Sequence, residues 1–277
     1  MKRCIRQQLC CAFSSDGFWL SLAIGGCISL SHYFFYVWLP YADPRAVAET
    51  LTAGYYLSVF NQWLGASMHT VQGYLFFLLL PVLAVLPFAC SFAQERKSGM
   101  LEEILLASGG RVRYLLAKFL AVFLSAGTAV LLPLGLNLAL TAATVPALTP
   151  MTATGSFFVF STSMWAELFY IWPWFYTLGY LAIIFVYAGL LAQICLWLSY
   201  FVRNQLLLLF APCLLCLATY ALCSALGFHS FSPLHFLPPQ QTVYFISFPV
   251  IAGEAALLLV INAVLFFYKG RNEDVLL

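Results

Sequence analysis

Apolar residues fall in six long runs along this chain, at about 18 to 39, 71 to 93, 117 to 143, 175 to 201, 205 to 228 and 247 to 268, and the charged residues gather between them. A helix rising about 1.5 Å per residue needs roughly 20 apolar residues to cross a hydrocarbon core with its backbone groups paired internally. Each run has that length. The pattern predicts an all-α, polytopic membrane protein with six transmembrane helices, and residues 1–277 read as a single transmembrane domain with no room for a soluble one.

Composition agrees with the pattern. Of the 277 residues, 63% are hydrophobic and 8% are charged, against about 25% charged in soluble domains. Nucleic-acid binding has no support in this inventory. Lys2, Arg3 and Arg6 ahead of the first run could introduce a signal peptide, and Ile24-Gly25-Gly26-Cys27 faintly resembles a lipoprotein cleavage site. A cleavable apolar core is about 7–15 residues long, whereas this run continues to Leu39. It is expected to stay as an uncleaved first helix.

The placement of Lys and Arg sets the orientation. Lys2, Arg3 and Arg6 precede the first run; Arg96, Lys97, Arg111, Arg113 and Lys118 lie between the second and third; Arg203 follows the fourth; Lys269 and Arg271 follow the sixth. Eleven of the twelve basic residues therefore share one side, Arg45 beside Asp43 being the exception. Both termini are expected in the cytoplasm, and an even number of spans requires the same. On the outer side, Phe169 to Tyr176 is an aromatic run suited to an interfacial belt. Asn204 through Gly253 contains no charged residue although it must include an outer turn with Pro233, Pro238, Pro239 and Pro249. Residues 229–247 are thus expected to lie against the bilayer or re-enter it shallowly, buried against protein.

The charged stretch between the second and third runs, residues 94–113, has the punctuation of a separate short helix. Ser98 is a plausible N-cap, Glu102 and Glu103 suit the positive end of a helix dipole, and Gly109-Gly110 supplies a stop. About ten residues make roughly 15 Å, too short to span. Leu101, Ile104, Leu105 and Ser108 share a face that excludes both glutamates. On these residues alone two readings stand: an amphipathic connector resting on the cytoplasmic membrane surface, or a rigid element that a partner grips.

Glu95-Arg96-Lys97-Ser98-Gly99-Met100-Leu101-Glu102-Glu103-Ile104-Leu105 resembles the E-R-x-x-G-T-L-E-x-L-L signature of the ABC type-2 permease family, the membrane subunits of many bacterial exporters. It also falls where that family places it, between spans two and three. The resemblance implies that Glu95, Arg96, Lys97, Ser98, Gly99, Leu101, Glu102, Glu103, Ile104 and Leu105 form a coupling helix that docks on an ATP-binding subunit. It implies two copies of that subunit handling ATP and Mg, a second permease copy, identical or homologous, and residence in the bacterial cytoplasmic membrane among lipids. Arg203 and Asn204 stand where the family makes a second, smaller contact, and equally where an ordinary positive-inside anchor would stand. Residues 1–16 look like the family's interfacial helix, and the uncharged outer turn like its re-entrant element. Met100, Glu103 and Gly109-Gly110 depart from the usual pattern.

Other chemistry is sparse. No G-x-x-x-x-G-K-[ST] loop occurs, so this chain binds no ATP through such a motif and is not expected to be an enzyme by itself. Cys213 and Cys216 form a C-x-x-C inside an apolar run and read as lipid-embedded small residues. His32, His69, His229 and His235, with Met68 and Met164, lack ligand-like spacing, and no metal is expected. Asn137, Gln193 and Asn262 suit hydrogen bonds across helices. Glu254, placed near the outer end of the last run, is a candidate pathway carboxylate, and it underlies the alternative of an ATP-independent secondary transporter or channel. No internal repeat between residues 1–143 and 144–277 supports that alternative, and no converging nucleophile and base supports an intramembrane enzyme.

Overall fold

The computed structural model describes residues 2–52, 57–108, 110–151, 159–202, 204–241, 243 and 245–272, with backbone alone at Ala46, Thr50, Glu102, Ala107 and Asn272. Its regular structure is entirely helical among these residues. The principal helices are α1 (Lys2–Phe13), α2 (Asp16–Ala42), α3 (Pro44–Thr52), α4 (Val71–Val85), α5 (Ser91–Lys97), α6 (Met100–Ala107), α7 (Arg111–Thr144), α8 (Ala166–Ile171), α9 (Pro173–Leu198), α10 (Gln205–Leu226) and α11 (Phe248–Asn272).

Five of these, α2, α7, α9, α10 and α11, are long and apolar enough to cross a membrane. The second apolar run is not one continuous helix. It forms α4, whose 15 residues make about 22 Å, then a turn through residues 86–90, then α5. Pro87 explains the interruption, because it has no N–H to offer the carbonyl of Leu83. Ser21 Oγ donates to that carbonyl instead at 2.8 Å, and Ser15 Oγ donates to the carbonyl of Pro87 at 2.6 Å. Gly17 lets the backbones meet, since a Cβ there would lie 2.1 Å from the Leu86 oxygen.

Helix α9 is the most enclosed element and packs along α7, which in turn carries α1 and α2. The α7–α9 contact interlocks two phenylalanines with two glycines. A Cβ on Gly127 would meet the Phe185 ring at 2.6 Å, and one on Gly189 would meet Phe123 at 2.4 Å, so small residues set the approach. Helices α10 and α11 are mostly uncovered and expose apolar side chains such as Leu214, Leu222, Leu257 and Val260. Asn137, Gln193 and Asn262, all buried, each bond across to another element. Asn137 Nδ2 donates to Ser29 O while its Oδ1 accepts from Leu64 N; Gln193 Nε2 donates to Phe119 O; Asn262 Nδ2 donates to Leu190 O and its Oδ1 accepts from Trp197 Nε1.

Between α10 and α11 the chain folds back on the bundle. Gly227, at φ +76°, ends α10, with Phe228 N donating to Cys223 O. One-turn helices follow at His229–Phe231 and Pro233–Phe236. Ser232, Pro233, His235, Phe236, Leu237, Pro238, Pro239 and Gln241 are all buried. Gln241 Nε2 donates to Met164 O and to the Tyr176 hydroxyl, its Oε1 accepts from Met164 N, and Tyr176 Oη donates to Pro239 O. Phe236 packs on Tyr187 at 5.0 Å between ring centroids, about 21 Å along α9 from Pro173. Replacing Gln241 with alanine removes three buried hydrogen bonds and is expected to cost about 2 kcal/mol. Thermal unfolding in detergent would show it, and an unchanged midpoint would contradict this anchoring role.

Candidate functional site

Arg96, Lys118 and Lys269 gather at one end of the bundle. There the C-terminal part of α9, α5, the start of α7 and the end of α11 converge on a cluster in which Phe92 contacts Tyr200 and Phe266, each at 5.4 Å, and faces Tyr114 at 6.4 Å. Lys269 Nζ lies over the Phe201 ring at 5.1 Å, and α1 joins this end through Cys4, whose thiol approaches Arg113 O at 4.0 Å. Arg45 is remote in sequence from this cluster, in the first turn of α3.

Helices α5 and α6 form an elbow within this end. Ser98 closes α5 rather than opening α6, and its hydroxyl donates to Glu95 O at 3.2 Å. Gly99 caps α6 instead because the bend requires φ +76°, a left-handed conformation that glycine adopts without steric cost. Past α6, Ser108 Oγ donates to Leu105 O, Gly110 N donates to the same carbonyl, and Gly110 at φ +130° leads into α7. Gly109 lies outside the described residues.

Glu95 and Arg96 point into the protein. Glu95 Oε1 accepts from Lys118 Nζ at 2.7 Å, and Oε2 accepts from the Tyr114 hydroxyl. The Lys118 side chain is fully buried, with its ammonium 4.0 Å above the Phe88 ring. An ion pair sheltered this way is costly to split, because either partner alone is left with an uncompensated charge. Arg96 Nη1 donates to Ser199 O at 3.2 Å and stacks over Tyr200. These contacts fasten α5 to α7 and to the C-terminal end of α9.

The faces of α6 divide cleanly. Leu101, Ile104 and Leu105 pack against the core and Ser108 is half-buried, so the stripe read from helical spacing is the inward one. Lys97, Ser98, Gly99, Met100, Glu103 and Leu106 are exposed, Leu106 to 85%. Met100, Glu103 and Leu106 recur every third residue and form the outer face. Beside it, Cys4, Gln7 and Gln8 of α1 line a groove with Glu103, Ile104 and Ser108. The side chain of Glu102 lies outside the described residues, as does Arg203. Asn204 is exposed and caps α10, its Oδ1 accepting from Leu206 N at 3.0 Å. Glu254 lies on α11, away from this elbow, half-buried, with Oε2 buried and unpartnered among the described residues.

Sequence reasoning overlooked Lys118 and Tyr114 as partners of Glu95, and Met100 and Leu106 as the outward apolar positions. A signal for Lys118 was present: it falls one residue inside the third apolar run, where a cation requires a counter-charge. Among the described residues no three His, Cys, Asp or Glu side chains form a group that could hold a metal. No protein-family model, curated protein or solved structure matches this chain.

Proposed function

We propose that this chain is the membrane-spanning permease subunit of an ABC exporter in the bacterial cytoplasmic membrane. In this reading α4 supplies the sixth crossing, shortened by Pro87 and continued by α5, and both termini face the cytoplasm. Residues 229–247 form a re-entrant outer element. Two copies of a separate ATP-binding subunit, carrying ATP and Mg, drive a pair of permeases, identical or homologous.

The observation that carries this reading is the elbow of α5 and α6. A partner that moves α6 can move the spans only if the grip is passed on without slack. Here the lever is tied at its base by the Glu95–Lys118 pair, the Tyr114 hydroxyl bond and the Arg96–Ser199 contact. Its outer face offers Met100, Glu103 and Leu106. Force on α6 would then reach α4 through the short turn, α7 through Lys118, and α9 through Ser199.

The decisive experiment is purification of the chain with its native neighbours, followed by identification of co-purifying proteins and an ATP-dependent transport assay. A stoichiometric ATP-binding subunit is expected. Its absence, or full transport without ATP, would sink the proposal. The second outcome would favour the secondary transporter or channel, for which Glu254 is the one specific observation.

A further inference from the structure

Helix α1 turns Cys4, Gln8 and Ala12 into the protein. Another of its faces carries an open groove lined by Lys2, Ile5, Arg6, Leu9, Cys10 and Phe13. These residues recur at steps of three and four and so form one helical stripe. The groove has a volume of about 390 Å³, within the range of about 300–1,000 Å³ usual for small-ligand sites. Among the described residues, no other element contributes to its lining.

The stripe is graded along the helix. Phe13 stands two residues before Ser15, the cap of α2, and its ring meets Phe18 edge-on at 5.1 Å. Phe18 in turn contacts Trp19 at 6.1 Å, and Trp19 is 63% exposed in the first turn of that spanning helix. An exposed tryptophan there belongs at the polar boundary of the bilayer, which puts the apolar end of the stripe at the same level. Lys2 lies about 16 Å farther along α1, and Lys2 and Arg6, one turn apart, are spaced to converge on a single anion. The protein does not supply that anion: α1 contains no Asp or Glu, and among the described residues no acidic side chain pairs with Lys2, Arg3 or Arg6.

Unanswered cations at one end of an apolar stripe, on a helix joined to a membrane span, match an anionic lipid. A free anion would leave Ile5, Leu9 and Phe13 uncovered, and a zwitterionic lipid would bring a competing positive charge to Lys2 and Arg6. We propose that this groove binds one anionic phospholipid of the adjoining leaflet. Its phosphate is held between Lys2 and Arg6, and its glycerol and upper acyl chains lie on Ile5, Leu9 and Phe13. The site goes beyond the permease reading and does not depend on it.

The test uses the purified chain in phosphatidylcholine nanodiscs doped with a trace of phosphatidylglycerol or of phosphatidylcholine, each carrying the same photoreactive acyl chain, with cross-linked peptides mapped by mass spectrometry. On the unaltered chain, the phosphatidylglycerol probe should label residues 2–13 roughly thirtyfold more than the phosphatidylcholine probe, the combined effect of two cations at an anionic headgroup. In the double variant Lys2→Gln with Arg6→Gln, that preference should vanish, while labelling of the uncovered helices α10 and α11 stays as it was. Equal labelling of α1 by the two probes overturns the site. A preference that survives in the double variant overturns it too, because the charge would then act from elsewhere. Labelling of α10 and α11 with none on α1 also overturns it and marks α1 as covered by protein. The comparison of probes needs no variant, so misfolding cannot conceal the answer. Neither ATP nor a partner enters, so failure here and failure of the coupling reading remain separate results.

Discussion

Replacement of Lys118 with methionine is expected to destabilise the protein by about 3 kcal/mol, the low end of the range for removing one partner of a buried ion pair. The low end applies because the Glu95 side chain keeps 18% of its exposure while that of Lys118 keeps none. Methionine preserves most of the volume, so the loss reports charge rather than packing. Glu95 would be left with the Tyr114 hydroxyl alone, and the base of the elbow would loosen. The double variant Glu95→Gln with Lys118→Met removes both charges and should be less destabilised than Lys118→Met by itself. Unfolding by SDS titration in mixed micelles would measure both. If the single variant lost less than the double, the pair would not be holding α5 to α7.

That pair also shows where sequence reading reaches its limit in this chain. Hydrophobic runs located five spanning helices to within a few residues, because each is long enough that its apolar character alone dictates its environment. The second run was harder to read. Its composition is as apolar as the others, but Pro87 breaks the hydrogen-bond ladder, and the repair comes from Ser15 and Ser21 on a different helix. Nothing local to residues 71–93 announces those donors. The same distinction divides the candidate site. The inward stripe Leu101, Ile104 and Leu105 could be read from helical spacing, which is a local property. The inward turn of Glu95 and Arg96 could not, since their partners Lys118 and Ser199 lie 23 and 103 residues away. The cap on α6 shifted by one residue, from Ser98 to Gly99, because the bend between two helices calls for a positive φ that a side-chain cap cannot supply.

The outer hairpin illustrates the converse. Its lack of charge from Asn204 through Gly253 signalled burial without saying against what. The supporting contacts come from Met68, Met164, Tyr176 and Tyr187, on three separate parts of the chain. Long-range pairing of this kind is what a single sequence conceals, whereas the need for some such pairing is visible in the missing charges.

Substitution of Leu106 with aspartate is expected to reduce capture of the ATP-binding subunit at least tenfold while leaving the unfolding midpoint unchanged. Leu106 is 85% exposed, so the folded chain loses almost no burial when the side chain changes. A docked partner would cover it, and full burial of a leucine is worth about 1.5–3 kcal/mol, which converts to roughly ten- to a hundredfold in affinity. Aspartate would forfeit that contribution and add a charge that must be desolvated. Glu103→Lys, on the same face but polar, should act more weakly and chiefly on the association rate, with a strong dependence on salt. The competing reading, a connector resting on the lipid surface, makes the opposite forecast. An aspartate at Leu106 would then weaken membrane association of α6 and leave partner capture as it was. Pull-down of the ATP-binding subunit at two salt concentrations, alongside thermal unfolding of each variant, separates the two accounts. Unimpaired capture by Leu106→Asp would show that no partner grips α6 by this face.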